Sequence, residues 1–94
     1  MRVCWALAAE QDRAEIIDFI AKDNPLAAIH MDERFAEAAS HLATHPLLGK
    51  AGQIPGTREL IPHESYRLVY EAQGDTVWIL ALVHTARPWP PGWQ

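Results

Sequence analysis

Arg58, Glu59, Arg67, His84 and Arg87 are the residues of this 94-residue chain whose types and order could carry chemistry. They frame two apolar, strand-like runs, 66–72 and 76–84, joined at Gln73-Gly74-Asp75. The arginines stand just before, within and just after those runs, where they can contact a target. Glu59 and His84 are acid–base types, and histidine titrates near neutral pH. Each residue also has a plainer reading. Glu59 on a short strand reads equally as a solvated carboxylate or the partner of Arg58. His84, ending an apolar strand, reads as a half-buried histidine bonded to backbone. Arg67, between Tyr66 and Leu68, can lay its stem on the sheet and pair with Glu71 or Glu59. Arg58 and Arg87 sit at strand ends, where side chains are expected to converge on one edge of the sheet.

Three other features invite a chemical reading. Trp89 and Trp93 lie in a proline-rich tail and can form a rigid aromatic contact surface; alternatively, Trp89 folds back to complete a small core. His41 and His45 have the i, i+4 spacing of two zinc ligands, but no third ligand is nearby. They end a helix, where the dipole alone favours histidine, so no metal and no cofactor is called for. Cys4, the single cysteine, can form no internal disulfide and reads as a packed small hydrophobe.

The elements that must position these residues follow from periodicity. Val3, Trp5 and Leu7 alternate on a first strand. Residues 9–22 place Ile16, Ile17, Phe19 and Ile20 among charged residues at helical spacing, an amphipathic helix. Asn24 can cap a second helix with Pro25 in its first turn. That helix carries Ala28, Met31, Phe35, Ala38 and Leu42 at spacings of three and four. It ends near His45, because Pro46 disfavours helical geometry before it. Glycine and proline make 47–56 a surface connection. Residues 58–61 form a short strand, Pro62 to Ser65 a loop, and the two long runs a hairpin. Residues 78–83 are apolar on both faces, which places the last strand at the centre of the sheet. The result is an α+β fold, β-α-α-β-β-β: a helical hairpin on one face of a small, mainly antiparallel sheet. The core is expected at Val3, Trp5, Ile16, Ile20, Met31, Phe35, Leu42, Leu68, Tyr70, Ile79 and Ala81.

Size and charge narrow the function. A chain of 94 residues makes one domain (1–94) and buries about 60–65% of its unfolded surface. No apolar run is long enough to span a bilayer, and the N-terminus is too short for a secretory h-region, so a cytoplasmic protein with no membrane partner is expected. The net charge is −4. Residues 1–45 hold eight acids and four bases, and residues 46–94 hold four of each. Proteins that live on phosphate backbones carry a clustered positive excess; its lack here disfavours strong autonomous nucleic-acid binding.

The ordered set Gly-Thr-Arg-Glu-Leu at 56–60, Tyr-Arg-Leu-Val-Tyr at 66–70, a short turn, an aliphatic strand ending in His84, and Arg87 resembles the C-terminal half of the RelE/ParE toxins of bacterial toxin–antitoxin pairs. With the helical pattern upstream, the resemblance covers almost the whole chain and implies the same β-α-α-β-β-β fold. It implies one of two activities: ParE-like poisoning of DNA gyrase, without known catalysis, or RelE-like cleavage of mRNA on the ribosome by a metal-free endoribonuclease. Against the RelE pattern, Arg58 replaces the first lysine, Leu60 the second, Arg67 matches the strand arginine, Arg87 falls about one residue from the later arginine, and the final tyrosine is missing. A lost lysine weakens the charge aimed at the phosphate, usually the largest catalytic term. In other members a glutamate, an arginine and a histidine act as acid–base groups, parts that Glu59, Arg67 and His84 could take beside Arg87. The resemblance favours the ParE-like reading, with target contacts at Arg58, Arg67, Arg87, Trp89 and Trp93 and no catalytic group; the ribosome and mRNA are the alternative partners. Either way it implies a cognate antitoxin that folds on binding, in a heterotetramer, over apolar surface near Leu47, Leu48, Ile54 and the tail tryptophans.

Overall fold

In the computed structural model, which describes residues 1–91, seven elements form two layers. They are β1 (Arg2–Trp5), α1 (Leu7–Asp23), α2 (Pro25–Thr44), β2 (Lys50–Ala51), β3 (Arg58–His63), β4 (Tyr66–Gln73) and β5 (Thr76–His84). The boundary between the helices is built as expected. Asn24 caps α2, its Oδ1 accepting from Ala27 N at 3.1 Å, and Pro25 occupies the first turn where its missing N–H costs nothing. α1 starts two residues earlier than periodicity predicts and has no side-chain cap. The helices are pinned by Arg13, whose Nε donates to Asp32 Oδ1 at 2.7 Å while its guanidinium lies 4.7 Å from the Trp5 ring centroid.

The sheet order is β1-β5-β4-β3-β2, with β1 parallel to β5 and every other pair antiparallel. β5 is interior, as its two-sided apolarity requires, but the middle strand is β4. A fifth strand causes the shift: Lys50–Ala51, inside the expected loop, pairs with Arg58 and Glu59. Phe35 and Leu42 from α2 pack on Leu68, Tyr70, Val77, Ile79 and Leu82, all at 4% exposure or less. Of the expected core, Val3, Trp5, Ile16 and Met31 pack half-buried against this cluster, and Ile20 is half-buried.

Ala81 is buried, but outside that cluster. The cause is a bulge. Val69 and Tyr70 are consecutive on β4, yet they face Ala81 and Ile79, so Leu80 is an extra residue. Val77 and Ile79 before it, and Leu82 after it, all turn toward the helices. Ala81 and its neighbour Val69 turn to the opposite, open face. Just past the bulge, Leu82 N–H donates to Asp12 Oδ2 of α1 at 3.1 Å.

Candidate functional site

The residues singled out by sequence do not form one cluster. On the open face of the sheet, Glu59 stands opposite Val69, two residues along β4 from Arg67. Diagonal neighbours of this kind are within reach of long side chains. Arg67 Nη1 donates to Glu59 Oε1 at 3.2 Å, and Gln53 N–H donates to Glu59 Oε2 at 3.0 Å. The Glu59 side chain is only 3% exposed and that of Arg67 21%. Glu59 is therefore neither solvated nor the partner of Arg58. Of the two carboxylates open to Arg67, it is Glu59 that pairs. The Nε of Arg67 is buried with no hydrogen-bond partner.

Arg58 points the other way. It stands opposite Tyr70, on the helix side, and its Nη1 donates to Gly49 O at 2.7 Å. Tyr70 fastens the same loop: its hydroxyl donates to Pro46 O and accepts from Gly49 N, both at 2.8 Å. Sequence reading missed this role for Tyr70. A strand tyrosine facing a Gly/Pro-rich connection was the available signal.

His84 and Arg87 gather elsewhere. His84 stands opposite Tyr66, whose ring also meets Phe35 of α2 edge-on, so His84 lies on the helix side of the sheet and not beside Arg67. Its Nδ1 accepts from Ala86 N at 3.0 Å, the backbone bond expected of it, although the residue is exposed. Arg58 and Arg87 do not converge on one edge. Arg58 is level with Ile79 through Tyr70, whereas Arg87 follows His84, which stands opposite Tyr66, roughly 13 Å along the sheet. Arg87, Trp89 and His84 instead line a groove of about 790 Å³ whose other wall is Asp12, Glu15, Ile16 and Phe19 of α1. Trp89 does fold back, half-buried, with its Nε1 buried and without a partner. Trp93 lies outside the described residues. Among the described residues no group of three metal-ligating side chains comes together, which includes His41 and His45. Cys4 is half-buried. No helix among them is long and apolar enough to cross a membrane.

The arrangement offers an exposed arginine and a tryptophan on one groove, and a closed ion pair on the opposite face. Comparisons with known proteins give the family. A family model of the ParE toxins of type II toxin–antitoxin systems, parDE, matches residues 3–89. The chain is 37% identical over 90 residues to Y4kP of Sinorhizobium fredii, covering 95% of this chain and 93% of that one. It is 34% identical over 86 residues to toxin RelE2 of Caulobacter vibrioides, covering 92% and 97%. In structure it is similar to a chain of the chromosomal ParDE system from P. aeruginosa, with a TM-score of 0.79 at 20% identity over 89% of this chain and 95% of that one. A YoeB/ParE toxin from Agrobacterium tumefaciens gives 0.64 at 16% identity over 89% and 98%. The chain is a member of the ParE toxin family of type II toxin–antitoxin systems.

Proposed function

We propose that the protein acts on DNA gyrase as a non-catalytic poison, neutralised by its antitoxin. One observation carries this reading. Both oxygens of Glu59 are engaged inside the fold, by Arg67 and by Gln53 N–H, and His84 stands on the other face of the sheet. A metal-free nuclease needs an acid and a base within reach of one phosphate; Glu59 and His84 cannot flank the same one. Leu60, where the RelE pattern has its second lysine, supports the same side, since a lysine there would add charge at the phosphate.

The target contacts are proposed at Arg87 and Trp89, which share the groove beside α1, and at Trp93. Arg58 and Arg67 act from behind, by holding the 46–57 loop and the open sheet face. The antitoxin covers the apolar surface this small core leaves out: Leu47 is 67% exposed, Leu48 51% and Ile54 36%. It folds on binding, and the complex is a heterotetramer joined through the antitoxin.

Brief induction in cells tests the reading. Filamentation with a DNA-damage response, and purified protein that blocks gyrase supercoiling, is the expected result. mRNA cut within codons at the ribosomal A site, with supercoiling unaffected, would reverse the assignment to a ribosome-dependent endoribonuclease.

A further inference from the structure

The charge of the molecule is concentrated on its helices. Residues 7–44 contain eight acids and three bases, Arg13, Lys22 and Arg34, a net of −5 against −4 for the whole chain. Six of the acids, Glu10, Glu15, Asp18, Asp23, Glu33 and Glu37, are exposed. Among the described residues the ion pairs are Arg13–Asp32 and Arg67–Glu59, so no cationic side chain is matched to any of the six.

The outer side of the hairpin also carries large exposed apolar side chains, Leu7 at 70%, Leu26 at 61% and Ile29 at 56%, whereas Phe19 belongs to the groove beside Arg87 and Trp89. Spacing puts acids and apolar groups together. On α1, Leu7, Gln11, Ala14 and Asp18 share one stripe at i, i+4, i+7 and i+11. On α2, Leu26, Ile29, Glu33 and Glu37 follow i, i+3, i+7 and i+11. Solvation of a charged face accounts for the carboxylates, but not for the large apolar groups standing among them.

We propose that the solvent face of the α1–α2 hairpin is a docking surface for a cationic amphipathic segment of the antitoxin. Its apolar side chains cover Leu26 and Ile29, and its lysines or arginines meet Asp18, Glu33 and Glu37. This rests on the toxin–antitoxin reading and adds the chemistry of the partner. A second copy of the chain does not fit, because it would set one −5 hairpin against another, and like charges facing each other across an interface are strongly disfavoured. An acidic segment meets the same repulsion. A basic one is steered in, because exposed charges act over a Debye length of about 8 Å at physiological salt.

The test uses two labelled amphipathic helical peptides, one of lysine and leucine and one with every lysine replaced by glutamate, titrated against the purified chain by fluorescence anisotropy. The lysine peptide is expected to bind at least about ten-fold more tightly, a margin that shrinks as salt rises. The paired change Glu33→Lys/Glu37→Lys should remove most of that margin, and Leu26→Ser/Ile29→Ser should weaken binding of the lysine peptide. Glu33→Gln/Glu37→Gln, the milder pair, should give a smaller loss in the same direction. Glu71→Lys/Asp75→Lys makes the same change in net charge on the sheet and should leave the margin intact; circular dichroism confirms that each variant is folded. Equal binding of the two peptides, or an equal loss in the sheet variant, overturns the proposal. Co-expression with the neighbouring small reading frame tests the underlying reading separately. If that partner neutralises the toxin but binds without salt dependence, the docking chemistry is wrong and the toxin–antitoxin reading stands. If it fails to neutralise, that reading falls whatever the peptides do.

Discussion

Replacing Glu59 by alanine removes the hub of the open face, and the loss can be sized. Arg67 would keep no hydrogen-bonding partner among the described residues, since Nη1 bonds only Glu59 and Nε already bonds nothing. Gln53 N–H would lose its acceptor as well. Breaking a fully buried pair from one side costs about 3–5 kcal/mol. The Arg67 side chain is 21% exposed, so water recovers part of that, and about 2–3 kcal/mol is expected. For a domain of this size that lowers Tm by about 8–24 °C, and the energy lost is a large share of a total stability on the order of 5–15 kcal/mol. Urea unfolding of wild type, Glu59→Met, Arg67→Met and the double variant Glu59→Met/Arg67→Met forms a cycle. The double variant should recover most of the loss, because two packed apolar side chains of similar volume replace a buried pair with little net change. Single variants that each cost under about 1 kcal/mol, or costs that simply add, would refute the claim that the pair is closed and buried. The cycle also governs how toxicity assays are read: Glu59→Ala perturbs folding, so Glu59→Gln is the change that isolates proton transfer. The gyrase reading expects Glu59→Gln to stay toxic, whereas loss of a general base lowers cleavage by about 10²–10⁴-fold.

Gly49→Ala should destabilise by about 1–3 kcal/mol in thermal melts, since its new Cβ would lie 2.8 Å from both Glu59 O and Tyr70 Cε1; a neutral result would mean the 46–57 loop can retreat. Tyr70→Phe orphans Pro46 O and Gly49 N–H together, and a loss of about 1–3 kcal/mol is expected, with faster amide exchange at Gly49. Trp89→Phe removes a buried indole N–H that has no partner, so the isolated chain should melt no lower than wild type.

The element order was legible because each signal was local. Asn24 and Pro25 mark the break between the helices by cap chemistry, and α2 shows its core face by spacing alone. The two-residue strand at Lys50–Ala51 was not legible, since it exists only because β3 offers an edge and Tyr70 and Arg58 draw the loop against it. Among the candidate site residues, the strand positions of Arg67 and His84 were legible, but not which side of the sheet each occupies. Alternation counted along 76–84 puts Ile79 and Ala81 on one face, and Leu80 breaks that count. The burial of Glu59 also lay beyond reach, because Gln53 covers it from a loop whose path no local pattern predicts.

That extra leucine has a consequence for how the lineage can vary in length. Confined to one spot, the surplus residue leaves both ends of β5 in register with β4, from Gln73 opposite Thr76 to Tyr66 opposite His84. A relative lacking it would thread the same two ends through an unbroken ladder, with every outward and inward position unchanged. It would then have no stray amide past the kink and no use for an acid in the second turn of α1, where Asp12 now receives Leu82 N–H. Insertion and carboxylate should therefore be gained and lost together, two positions far apart in sequence, Leu80 and Asp12, coupled by one donor in search of an acceptor.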